Sequence, residues 1–147
     1  MLVSASGLAI AACVTDWNQR QIPHWLLGGV VLLWGVAAWL APDALGAPPL
    51  SSLLCGVGAM AIGFALYTWA GLGGGDAKLL AALAIWLGPW DIGLWLLGAA
   101  AVGLLLVLVA VAGRSTDFLN RGLPFAWAIS PPAVALLLGR AATLAAS

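Results

Sequence analysis

The sequence predicts an all-α fold, a polytopic membrane bundle of about six transmembrane helices with the N-terminus outside. Three observations carry that expectation. The 147 residues are 64% hydrophobic and 7% charged, with a mean hydropathy of +1.11. A water-soluble domain has too little polar material here to coat so much apolar surface, so a lipid bilayer is the expected solvent. Apolar runs of near-spanning length recur between polar or Pro/Gly breaks, and Lys and Arg fall in alternate breaks.

A transmembrane helix needs roughly 20 apolar residues, within a range of about 17–25. The runs cover residues 2 to about 15, 25–41, 50–70, 77–87, 92–112 and 124 to about 142. The breaks are 16–24, 42–49, 71–76, 88–91 and 113–123. All 147 residues are expected to form one membrane-embedded domain. No Lys or Arg precedes the first run, which is a poor signal-peptide n-region, so that run reads as a retained span.

Cytoplasmic loops carry the excess of Lys and Arg. Arg20, Lys78, Arg114 and Arg121 lie in or beside the first, third and fifth breaks, which places those breaks in the cytoplasm. Arg140 dissents and is expected to snorkel to the interface from the last span. Trp17, Trp25, Trp69, Trp90 and Trp127 sit near run ends, as aromatic anchors do. Gly56, Gly58 and Gly63 suit close helix packing.

Composition also removes function classes. A formal net charge of zero and the lack of a basic cluster exclude a nucleic-acid partner. Cys13 and Cys55 are isolated in apolar runs, and the single histidine with no Glu excludes H-E-x-x-H zinc chemistry. Neither a metal nor a cofactor is expected. A Ser–Lys pair would need Lys78, the only lysine, but Ser51 and Ser52 fall on the opposite side. Ser115 lies in a polar loop, and Ser130 has no evident partner. Cys13 could meet His24 only across the end of its own helix.

All five acids are Asp, at positions 16, 43, 76, 91 and 117. Asp43 stands in a Pro-rich turn and Asp91 precedes an apolar run as an N-cap would, both structural positions. Asp117, between Arg114 and Arg121, reads as a solvated ion-pair partner. Taken alone, Asp76 reads as the cap of the fourth run and Asp16 as an interfacial loop residue. Two features raise them above that. They border the two shortest runs, and short or Gly-interrupted segments point to sites in membrane proteins. Ionisable groups at membrane depth are costly and by default functional. The glycines before Asp76 also let another chain approach closely. Two carboxyl groups on one face then remain as the workable hydrolase.

The residues around both aspartates resemble a known family. Asp16-Trp17-Asn18-Gln19-Arg20-Gln21-Ile22-Pro23 is similar to the first signature of type IV prepilin leader peptidases, in which an Asp precedes an Ile-Pro pair. Gly73-Gly74-Gly75-Asp76-Ala77-Lys78 resembles the second, Gly-x-Gly-Asp followed by a small or aliphatic residue and Lys. Pro124-Phe125-Ala126-Trp127-Ala128-Ile129 is similar to the Pro-led start of the last helix. His24 stands where Asn is usual, and the first loop is less basic than in relatives.

The resemblance implies an aspartic endopeptidase of a bacterial inner membrane, with Asp16 and Asp76 as the catalytic pair. Its substrate would be a prepilin or pseudopilin, cut on the cytoplasmic side of the substrate's single N-terminal helix. Gly73, Gly75, Lys78, Ile22 and Pro23 would support or contact that substrate. The chain lacks the cytoplasmic insertion and paired cysteines of larger, methylating members, and looks like the short branch serving Tad/Flp-type pili. Two alternatives stay open. One is an intramembrane Gly-x-Gly-Asp protease of the preflagellin or presenilin type. The other is a small transporter or scaffold whose aspartates cap helices or bind a cation.

Overall fold

The computed structural model describes residues 1–19, 22–45, 47–70, 73–113 and 126–146. Among the described residues the helical elements are α1 (Leu2–Gln19), α2 (His24–Leu40), α3 (Pro49–Ala70), α4 (Gly74–Ala112, two helices joined across a kink) and α5 (Ala126–Ala146). A single 3₁₀ turn, Pro42–Leu45, joins α2 to α3. Helices α3, α4 and α5 are each long and apolar enough to cross a membrane, whereas α1 and α2 are shorter apolar helices. Arg20, Gly71, Leu72, Arg114, Asp117, Arg121, Pro124 and Phe125 lie outside the described residues, as does part of the charge pattern on which the expected orientation rests.

The helix boundaries follow local chemistry, with one correction. Pro23 ends the turn in an extended conformation (φ −63°, ψ 136°), and its carbonyl accepts from the Leu26 amide at 3.1 Å. Pro49 starts α3, where its missing N–H costs no helical bond. Helix α1 does not stop at Thr15 but continues through Gln19, which puts Asp16 within the helix. The fourth and fifth runs are two helices joined across a kink at Gly88 (φ 67°, ψ −173°), ahead of Pro89 and inside the break expected at 88–91. Only glycine takes up that backbone conformation without strain, so a single residue absorbs the turn. A Cβ at Gly88 would also stand 2.9 Å from the Ala47 Cβ. Gly88→Ala is therefore expected to cost about 1–3 kcal/mol, read by chemical or thermal unfolding in detergent.

The first half of α4 is the centre of the bundle. Leu79 to Leu87 are all buried, so most of this segment's surface is covered by other helices. Helix α3 packs along α4 closely enough that a Cβ on Gly63 would lie 3.0 Å from the Ala77 Cα, and one on Gly56 would clash with Ile85. Gly58 faces open space and takes no part in that contact, contrary to its expected packing role. Two buried indoles fix α4 to other helices. Trp86 donates to the Val30 carbonyl of α2 at 3.0 Å, and Trp95 to the Ile129 carbonyl of α5 at 2.7 Å. A buried Trp N–H needs such an acceptor.

Arg140 reaches from α5 to residues of the second and fourth breaks. Its guanidinium donates to the carbonyls of Leu45 (2.7 Å), Trp86 (3.0 Å) and Leu87 (2.8 Å), and it pairs with Asp91. The break at Gly88 explains this. The last carbonyls of a helix have no donors of their own, and here a cation supplies them. Asp91 lies inside the helix beyond the break, not at its cap, and serves as the counter-ion.

Candidate active site

Four helix ends meet at one end of the bundle: the C-termini of α1 and α3 and the N-termini of α2 and α4. A cavity of about 280 Å³ lies among them, lined by Asp16, Ile22, His24, Gly73, Gly74, Gly75 and Asp76. The first three line it from α1 and the start of α2, and the rest from the start of α4.

Asp16 is 6% exposed and lies in the last turns of α1. A carboxylate near a helix C-terminus is unfavourable against the helix dipole, so local structure does not account for an acid at this place. Its backbone is held from α5. The Cys13 thiol donates to the Ala126 carbonyl at 3.3 Å, and the Trp127 indole donates back to the Cys13 carbonyl at 3.1 Å. These bonds pin the start of α5 one turn from Asp16.

Asp76 is half-buried at the third position of α4. The N-cap is Gly73, so Asp76 is not the cap itself. Its carboxylate instead reaches back to accept from the Gly73 backbone, as the third residue of a capping box does. Asp16 and Asp76 are near enough for their charges to interact. The carboxylate lies so close over Gly73 that a Cβ there would stand 2.7 Å from Asp76 Oδ2. Gly73 has an ordinary extended backbone (φ −62°, ψ 138°), so alanine fits the chain but not the carboxylate. Gly73→Ala is expected to keep the fold and displace the acid. Displacements of this size cost about 100-fold in rate, measurable as leader cleavage per folded molecule.

Gly75 has a different neighbour. A Cβ there would come within 3.5 Å of the Ile22 side chain, which is itself buried. The Ile-Pro pair thus splits its work. Ile22 seats the α1–α2 turn on the start of α4, while Pro23 begins α2 and does not line the cavity. Lys78 does not line it either. Two positions beyond Asp76, it projects from another side of α4 and is exposed on a neighbouring groove. The structure therefore gathers Asp16, Asp76, Gly73, Gly75 and Ile22 around one cavity and leaves Lys78 and Pro23 outside its lining. His24, which the sequence marked as a departure from the family pattern and weighed as a partner for Cys13, lines the cavity as the first residue of α2. Its position directly after Ile-Pro was the available signal.

The sequence model of the type IV leader peptidase family matches residues 3–108. That stretch holds both aspartates and reaches from α1 into the last part of α4. No curated protein and no solved structure matches the chain.

Proposed function

From the premise that this chain belongs to the type IV leader peptidase family, we propose that it is an aspartic endopeptidase with Asp16 and Asp76 as its catalytic pair. Its substrates are prepilins or pseudopilins of the Flp/Tad type, cut at the cytoplasmic face of the membrane. Family membership and the three long apolar helices point to a membrane protein. A single multi-pass domain in the bacterial inner membrane, with its N-terminus outside, completes the reading.

The observation that carries it is the delivery of two carboxyl groups to one cavity by helices remote in sequence. One carboxylate takes a proton from water, which attacks the scissile carbonyl. The other, as the acid, donates its proton to the developing oxyanion; on collapse it takes that proton back, while the first carboxyl passes the proton from water to the leaving amine. The pair titrates as a unit, so these roles belong to the dyad and not to one residue. Gly73 and Gly74 leave the cavity wall without side chains, and an extended peptide can approach it closely.

Co-expression with a Flp-type prepilin tests the proposal. The prepilin should lose its leader, giving a shortened product by mass spectrometry with a new N-terminus ahead of its apolar helix. Cleavage should persist in excess chelator, because the mechanism uses no metal. A prepilin left intact by the folded protein, or cleavage abolished by the chelator, contradicts the reading.

A further inference from the structure

Beside the aspartyl cavity a second cavity of about 500 Å³ opens between α2 and α3, with α4 as its floor. His24 and Gly28 line it from α2, Val57 and Met60 from α3, and Lys78 and Ala81 from α4. Among the described residues of the lining, His24 and Lys78 are polar and the rest are apolar. From Val31 back to His24 the groove follows about two helical turns, roughly 10 Å. His24 also lines the aspartyl cavity, so the two cavities meet at this residue.

We infer that this groove seats the apolar helix of the substrate and delivers the chain beyond its end to Asp16 and Asp76. The inference rests on the peptidase reading above and adds the docking site. Three observations name a helix as the occupant. Gly28 on the wall and Ala81 on the floor are small, which lets a helix backbone approach closely in lipid. The groove and the aspartyl cavity share His24 in their linings, so a chain emerging there stands beside the cavity that holds the acids. Its polar residues stand at the cavity end alone, matching a segment that is apolar along the groove and polar where it is cut. A lipid acyl chain would fit the apolar stretch but has no use for that adjacency.

Gly28 offers a clean probe. A Cβ at Gly28 meets nothing within 4 Å, so Gly28→Leu fills the groove without disturbing helix packing. Gly58→Leu is the matched control, since Gly58 also faces open space and lies outside the groove lining. Purified full-length variants in bicelles are given an intact Flp-type prepilin and, separately, a peptide spanning its cleavage site without the apolar helix. Gly28→Leu should lower the ratio of prepilin to peptide cleavage at least tenfold, with Gly58→Leu leaving it unchanged. An unchanged ratio in Gly28→Leu overturns the inference.

Photo-crosslinking reads docking apart from catalysis. A benzoylphenylalanine at Val57, in the Asp76→Asn background, should capture the prepilin, and one at the exposed Val36 on α2 should not. Equal capture from Val36, or lipid adducts alone from Val57, overturns the groove assignment. Failure of the wild-type protein to cleave prepilin defeats the peptidase reading instead, and the Val57 adducts still decide whether the helix seats here.

Discussion

Asp16→Asn and Asp76→Asn, made separately, are each expected to lower prepilin cleavage by about 10³-fold or more, in line with the loss of a positioned acid or base. Either change is nearly isosteric and removes the ionisable group alone. An amide cannot take the proton from water, and it cannot protonate a leaving amine. The fold should survive both changes. In Asp76→Asn the side-chain oxygen can still accept from Gly73, so the start of α4 keeps its contact. In Asp16→Asn the bonds among Cys13, Ala126 and Trp127 still hold this end of α1 to α5. Cleavage rates by mass spectrometry, normalised to folded protein in detergent, give the comparison. A variant that processes prepilin at the wild-type rate removes its aspartate from the mechanism.

The second large effect concerns stability at the other end of the bundle. Arg140→Met is expected to destabilise the protein by about 3 kcal/mol, the low end of the range for breaking a buried pair, because Arg140 and Asp91 are only partly buried. Methionine fills similar volume but donates nothing. The carbonyls of Leu45, Trp86 and Leu87 lose their donor, and Asp91 loses its counter-ion. Asp91→Asn keeps an acceptor for Arg140 and should cost less, about 1–3 kcal/mol. Arg140→Lys should recover only part of the loss, because one ammonium cannot match the fork of a guanidinium. Trp86 lies ten residues beyond Asp76, about 15 Å along the helix, so the intact fraction of Arg140→Met should cleave normally. Equilibrium unfolding of these variants checks the ranking, and an Arg140→Met protein as stable as wild type refutes it.

The two ends of the bundle also differ in how far the sequence revealed them. Hydropathy marked α2 and α3 within a residue or so, because an apolar run bounded by proline allows little choice. Asp16 and Asp76 stood out because ionisable groups are rare in such a chain, and the surrounding Ile-Pro and Gly-rich motifs tied them together. The mode of their placement was less legible. Asp76 looked like a cap, yet the cap is Gly73 and the acid reaches back from inside the helix. Lys78 was grouped with the site through its motif, although a separation of two residues on a helix already sends it to another side. Arg140 could not be read from its surroundings at all. Its partners come from Leu45, Trp86, Leu87 and Asp91, which only the break at Gly88 and the packing of α5 bring together. Gly88-Pro89 signalled the interruption, and the chain does leave helical geometry there, between two helices.

The central claim is that Asp16 and Asp76 act as one unit, and a double-mutant cycle on prepilin cleavage tests it most directly. Groups that share a mechanism are non-additive, since losing either already removes the whole contribution. The Asp16→Asn/Asp76→Asn double variant should therefore be no slower than the slower single variant, within a factor of about three. Losses that multiply through the cycle, or substantial activity in either single variant, would contradict a shared acid pair.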